Sequence, residues 1–232
     1  MRVLLDYRPA LRERTGVGEY THQLIQALAT SGTGDSVTAF SSSWKDRVRR
    51  APLDEAGVSV IDCRVPVSVL NLLWHRLGWP PVEALARARF DVVHAFHPLL
   101  IPSRGAAQVV TIHDLDFLRH PERTRAEIRR DYPGLARSHA RRADHVIVPS
   151  RFTAAEVERV LDVPAERITV CAPGVPRWHE PIARPPRGEG YVLFLGTLEP
   201  RKNVGVLLDA YRLLAARREV PRLVLAGRAT ES

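Results

Sequence analysis

The chain has 232 residues, a formal net charge of +8, 45% hydrophobic and 26% charged residues, which excludes a disordered chain and leaves room for one large domain or one domain and part of a second. No apolar run approaches the roughly 20 residues that a membrane span requires, and two cysteines, Cys63 and Cys171, make neither a disulfide framework nor a metal-ligand spacing. The basic excess is almost all arginine, scattered apart from clusters at 47–50, 129–130 and 137–142, and aromatics reach only 6%; no nucleic-acid pattern emerges, and acidic headgroups or phosphorylated small molecules remain as partners.

Read in order, short apolar runs alternate with helical patterns. Strands are predicted at 2–6, 36–40, 58–62, 91–96, 108–113, 145–149 and 167–172. Between them Val17, Tyr20, Leu24, Ile25 and Leu28 fall at helical spacing, and 70–88, 122–143 and 153–161 read likewise. Thr153 with Glu156 fits a capping box, with Ser150 as an alternative cap one turn earlier. Pro133 is expected to break or kink its helix. Alternating strands and helices imply an α/β parallel sheet covered on both faces over residues 1–173. Residues 174–190, rich in proline and glycine and without apolar periodicity, read as a linker between domains. A strand at 191–195, a helix from Asn203 to about Arg218 and a strand at 222–226 then open a second domain, 191–232. One such unit leaves its faces and edges uncovered, so this domain is expected to be incomplete.

Candidate sites lie where strands end, because ligands of open α/β sheets bind at the carboxyl edge. The first loop contains Thr15-Gly16-Val17-Gly18. Glycines there let backbone approach a ligand, yet the third glycine of a dinucleotide fingerprint is absent at Thr21, and a plain tight turn explains the pair equally well. His113-Asp114 follows the strand Val109-Val110-Thr111-Ile112; the histidine can bond a sugar hydroxyl or move a proton, or simply hold a strand-end turn. His94 and His97 flank the preceding strand end, but nothing in their spacing with His113 supports zinc. Ser150 lacks a nucleophile elbow and reads as a cap. Residues 69–79 are apolar and aromatic. Either Leu70, Leu73, Trp74 and Leu77 face the sheet, or the segment contacts membrane through its tryptophans and nearby arginine. In the second domain, Gly196 ends a strand, and Arg201-Lys202 stand before a helix start, where free amides and two cations suit a diphosphate as readily as they suit solvent.

Taken together, four stretches resemble the glycosyltransferases of family 4: Thr15-Gly16-Val17-Gly18-Glu19-Tyr20; Thr111-Ile112-His113-Asp114-Leu115; Val148-Pro149-Ser150-Arg151-Phe152-Thr153 with its continuation Ala172-Pro173-Gly174-Val175; and Gly196-Thr197-Leu198-Glu199-Pro200-Arg201-Lys202-Asn203. The resemblance implies the GT-B architecture, two Rossmann-like domains, and a transferase moving a sugar, with mannose one candidate, from a nucleoside-diphosphate donor to the hydroxyl of a saccharide or lipid-linked acceptor. It implies retention, no metal and no cofactor, in polysaccharide or glycolipid synthesis. By the same resemblance Gly16, Arg201 and Lys202 hold the diphosphate, His113 contacts the donor sugar, and Gly18, Gly196 and Asp114 support the loops. The family's paired glutamates, spaced E-x7-E later in the second domain, are not within the 232 residues, which makes a truncated, inactive chain an expectation. A non-catalytic sugar- or partner-binding remnant and a GT-B sugar-nucleotide epimerase are the alternatives. The absence of a signal peptide points to the cytoplasm, with peripheral contact at the inner face of the membrane through 69–79 or the basic surface.

Overall fold

The computed structural model describes residues 1–12, 14, 16–121, 126–175, 190–199 and 202–227. The chain divides into two compact units, Met1–Pro176 and Arg177–Ser232. Most of the expected linker at 174–190 lies outside the described residues.

In the first unit, strands β1 (Arg2–Asp6), β2 (Ser36–Ser42), β3 (Ser59–Cys63), β4 (Val92–Ala95), β5 (Ala107–Thr111), β6 (His145–Val148) and β7 (Ile168–Val170) form one sheet in the order β3-β2-β1-β4-β5-β6-β7. Every ladder is parallel. The seven strands fall within two residues of their predicted ends. Successive strand residues point to opposite faces, so Leu4 and Leu5, both fully buried, enter two different cores. Leu4 packs with Phe40, Trp74, Val93 and Val146, and Leu5 with Ile25, Val37, Leu53 and Phe96. The sheet is therefore covered on both sides.

The covering helices are α1 (Val17–Ala29), α2 (Ala51–Asp54), α3 (Val67–Leu72), α4 (Val82–Ala86), α5 (Asp116–Arg119), α6 (Ala126–Arg142) and α7 (Arg151–Leu161). In α7 the buried Thr153, Val157 and Leu161 recur at i, i+4 and i+8. Its start is fixed by Ser150, whose Oγ accepts the Thr153 amide at 3.1 Å, so the alternative cap, rather than the box at Thr153, begins this helix. Pro133 lies inside α6 and does not end it. The following turns bury Ala136, His139 and Ala140 against the sheet, and that packing outweighs the lost hydrogen bond and the ring clash.

The expected helix over 70–88 is not continuous. After α3 the backbone passes through a π turn, Leu73–Leu77, then Gly78 in the left-handed region at φ +61°, then Pro80 and Pro81 before α4. Leu70 and Trp74 are buried as expected. Leu77, expected on the same face, is exposed, because the π turn rotates the residues after Trp74 off the helical stripe.

Burial also sets a pH dependence. His94 on β4 is 5% exposed, with Nε2 2.8 Å from the Thr111 hydroxyl. Desolvation lowers its pKa from 6.5 to about 4, Asp6 opposing the shift and His113 adding to it. The native state then keeps His94 neutral while the unfolded chain binds a proton below 6.5, so this contribution is complete above pH 6.5 and is lost as pH falls towards 4. Thermal melts from pH 7.5 to 4.5 are expected to show a declining Tm. His94→Gln, which removes the titration, is expected to flatten that slope by a group worth about 3 kcal/mol. An unchanged slope contradicts the assignment.

The second unit contains β8 (Tyr191–Leu195), α8 (Val204–Ala215) and β9 (Arg222–Ala226), the strands pairing in parallel from Tyr191 opposite Arg222 to Leu195 opposite Ala226. Tyr191, Val192, Leu193 and Leu195 are all exposed. The two strand ends converge closely: a Cβ at Gly227 would sit 1.8 Å from the Gly196 carbonyl oxygen, and the Gly227 φ is +157°. No side chain fits there.

Candidate active site

The sheet order reverses direction between β1 and β4, so the loops leaving their carboxyl ends diverge and open a crevice. Three groups of residues meet this edge.

The first group is the loop from β1 to α1. Arg8–Ala10 form a 3₁₀ turn, and α1 then starts at Gly16, which caps it at φ +47° and, as a glycine, offers no capping side chain of its own. A Cβ on Gly16 would meet nothing within 4 Å, whereas one on Gly18 would lie 2.7 Å from the Pro9 carbonyl oxygen. The two glycines therefore differ in kind. Gly18 allows the helix to press against the 3₁₀ turn, while Gly16 leaves open space at a positive helix end.

The second group surrounds His113, two residues beyond β5. Its ring stacks edge to face on Tyr20 of α1 with centroids 4.9 Å apart, so the helix touches the histidine two residues after Gly18. His113 Nε2 is buried and has no hydrogen-bond partner among the described residues. Desolvation lowers its pKa, Asp114 opposing the shift, which keeps the imidazole neutral near pH 7. Asp114 itself is exposed, and its Oδ1 accepts the Asp116 amide at 3.1 Å, which sets the turn into α5.

The third group was not visible in the sequence as a site. Asp6, at the end of β1, is fully buried. Its Oδ1 accepts Arg8 Nε at 2.8 Å and its Oδ2 accepts the far guanidinium nitrogen at 2.8 Å. His97 Nε2 lies 3.1 Å from the same Oδ2. Burial alone would raise the Asp6 pKa; the Arg8 charge and the bonds from Arg8 and His97 outweigh it and hold the carboxyl well below the usual carboxylate range. The remaining guanidinium nitrogen donates to Asn71 Oδ1 at 2.9 Å, and the guanidinium lies over the Trp74 ring, 4.8 Å from its centroid. Arg8, Asn71 and His97, with His75, Leu99 and Tyr132, line a cavity of about 280 Å³. The available signal was an ion pair at a strand end, Asp6 and Arg8, and a histidine inside the apolar run 69–79.

Among the described residues no group of three or more histidine, cysteine, aspartate or glutamate side chains could hold a metal ion; His94 and His97 are engaged by Thr111 and Asp6. In the second unit Gly196 donates its amide to the Ala226 carbonyl at 2.9 Å. Lys202 is exposed and precedes Asn203, which caps α8 from the left-handed region at φ +53°. The helix therefore begins at Val204, one residue later than predicted, and ends at Ala215 rather than near Arg218. Arg201 lies outside the described residues.

Comparison with known proteins fits this geometry. The profile of Glycosyltransferase Family 4 matches residues 14–177, a span holding the glycine loop and His113. The chain is 26% identical over 245 residues to the O-antigen chain mannosyltransferase B of Escherichia coli, covering 98% of this chain and 64% of that protein. Sucrose-phosphate synthase (tll1590) from Thermosynechococcus elongatus superposes with a TM-score of 0.68 at 18% identity, over 98% of this chain and 62% of that one. Anabaena Alr3699/HepE, solved in complex with UDP and glucose, does so with a TM-score of 0.59 at 16% identity, over 99% and 62%. The chain thus spans under two thirds of the length of these proteins. The seven-stranded parallel sheet and its helices are those of GT-B glycosyltransferases, and the chain belongs to Glycosyltransferase Family 4.

Proposed function

We propose that the protein is a retaining glycosyltransferase that moves a sugar, with mannose the first candidate, from a nucleoside-diphosphate donor to an acceptor hydroxyl in polysaccharide or glycolipid synthesis. The observation that carries this reading is the buried His113 Nε2 at the carboxyl edge, unpartnered among the described residues, on a ring in contact with the helix that starts at Gly16. A buried nitrogen without a partner costs about 1–3 kcal/mol, and a donor-sugar hydroxyl would supply the partner once binding realigns the ring. The amides at the Gly16 helix start, and Arg201 and Lys202 of the second unit, are the groups we assign to the diphosphate. As the anomeric carbon–oxygen bond breaks, its electron pair passes to the diphosphate oxygen; the acceptor oxygen bonds the anomeric carbon, and its proton goes to the departing phosphate. Cations and amides suffice for that charge, so the reaction needs neither metal nor cofactor. The mannosyltransferase among the relatives and the UDP and glucose bound by Alr3699/HepE support the class of donor.

The reading extends to location. Among the described residues no helix is long and apolar enough to cross a membrane. Val69, Leu72, Leu77 and Trp79 are nonetheless exposed together on the segment 69–79, near Arg76. An apolar surface with a tryptophan and an arginine suits a peripheral position at the inner face of a membrane carrying a lipid-linked acceptor.

The test is a radiolabelled transfer assay on the protein expressed from its natural reading frame, with GDP-mannose, UDP-glucose and UDP-galactose as donors. Turnover of one of them is expected, insensitive to EDTA, with the donor anomer kept in the product. His113→Ala is expected to lower kcat at least about 100-fold. No turnover of any nucleotide sugar, or full activity in His113→Ala, would sink the proposal.

A further inference from the structure

The orientation of His113 is set by packing rather than by hydrogen bonds. The residue lies beyond the last pair of the β5–β6 ladder, Thr111 opposite Ile147. Its Nε2 has no partner among the described residues, and the adjacent Asp114 turns Oδ1 to the Asp116 amide. What the ring does have is an aromatic neighbour. Tyr20 meets it at 4.9 Å between centroids with the planes 88° apart, the edge-to-face geometry that aromatic pairs favour.

Tyr20 is itself fixed from two directions. Its ring meets Phe96 edge to face at 5.9 Å, and Phe96, the residue after β4, is fully buried in the core that holds Leu5 and Ile25. The Tyr20 amide donates to the Gly16 carbonyl at 3.0 Å, in the first turn of the helix that Gly18 lets press on Pro9. Tyr20 thus sits between a buried aromatic and the glycine loop, and it carries the position of both to His113. Burial raises its pKa, with Cys171 adding to the shift and Thr111 opposing it. The phenol therefore stays protonated near pH 7 and exchanges no proton there, so its contribution comes from the ring. An edge-to-face pair holds a ring weakly compared with what a buried nitrogen loses by having no partner. Tyr20 can keep His113 in one place while the site is empty and still let it turn when a hydroxyl offers Nε2 a bond.

We propose that Tyr20 is the positioning residue of the His113 imidazole, acting through its ring and not through its hydroxyl. The proposal rests on the glycosyltransferase reading for its effect on turnover, but not for the contact itself.

Two measurements separate these. In the first, the imidazole ¹H–¹³C signals of His113, assigned by their loss in His113→Ala, are followed from pH 8 to pH 5 without substrate. Tyr20→Leu, which fills much of the space without an aromatic ring, is expected to move those signals. It is also expected to raise the His113 titration towards 6.5, as water replaces the phenol ring. Tyr20→Phe is expected to leave both close to the parent. The second measurement is kcat with the nucleotide sugar that the protein turns over. Tyr20→Leu is expected to lower kcat at least about tenfold while donor KM changes less than about threefold, and Tyr20→Phe to recover most of that loss. In the His113→Ala background Tyr20→Leu is expected to have no further effect, because its action passes through the histidine. His113 signals that stay in place in Tyr20→Leu, or a loss in Tyr20→Phe as large as in Tyr20→Leu, would overturn the proposal. Losses that multiply in the double variant would overturn it as well, leaving Tyr20 a general packing role. Altered His113 signals in a protein that turns over no nucleotide sugar would support the contact and defeat the transfer reaction instead.

Discussion

Asp6→Ala is expected to destabilise the first unit by about 3–5 kcal/mol, the cost of leaving a buried charge without its partner. The carboxylate is inaccessible to solvent and the Arg8 side chain is 8% exposed, so water cannot replace the lost oxygens. His97 and the Arg8 backbone amide, which donates to Asp6 Oδ1 at 3.1 Å, lose their acceptor in the same step. Urea denaturation followed by tryptophan fluorescence reads the change as a lower midpoint at a similar slope. The double variant Asp6→Leu/Arg8→Met removes both charges and keeps comparable volume; it is expected to recover most of the loss, because a buried ion pair is often no more stabilising than a well-packed apolar pair. A cost below about 1 kcal/mol for Asp6→Ala, in the range of exposed pairs, would contradict the buried network.

The second large effect concerns turnover. Lys202→Ala and Arg201→Ala are each expected to lower kcat by about 10²–10³-fold, the loss seen when one preorganised partner of a developing negative charge is removed. Lys202→Arg keeps the charge but replaces a compact ammonium with a planar fork, so partial recovery is expected. Lys202 is exposed and its backbone amide bonds the Glu199 carbonyl at 3.0 Å, so truncating its side chain leaves the fold in place and a melt should be unchanged. Unaltered turnover in both alanine variants would remove these residues from the diphosphate site.

The sheet was legible because each strand is a short apolar run ended by a polar or glycine-rich turn, and a parallel sheet covered on both faces demands that pattern. The helical half was legible only where one stripe repeats without interruption, as in α1 and α7. Over 70–88 the apolar spacing was read across Gly78 and Pro80-Pro81, although glycine past a helix end and proline beyond it are stop signals. At Pro133 the opposite happened: a local breaker was overridden by burial of the turns that follow. Of the site, His113 could be found because it stands where a strand stops. The cavity could not, since Arg8, Asn71, His97 and Tyr132 come from four separate parts of the chain, and nothing local in the sequence announces that they converge. The Gly196–Gly227 contact escaped for the same reason.

The sheet order carries a consequence for how the domain opens. Strands β3-β2-β1 come from the first 63 residues and β4-β5-β6-β7 from residues 92 to 170, so a single ladder, β1 to β4, joins two halves that are each contiguous in sequence. That ladder spans some of the longest sequence separations in the sheet, and ladders of this sort close late because their loop entropy must be met before the contacts form. Asp6 and Arg8 belong to one half and His97 to the other. A molecule held among them bridges the seam, so its binding free energy adds directly to the work of separating the halves, and amide exchange along β1 and β4 should slow together when it is bound.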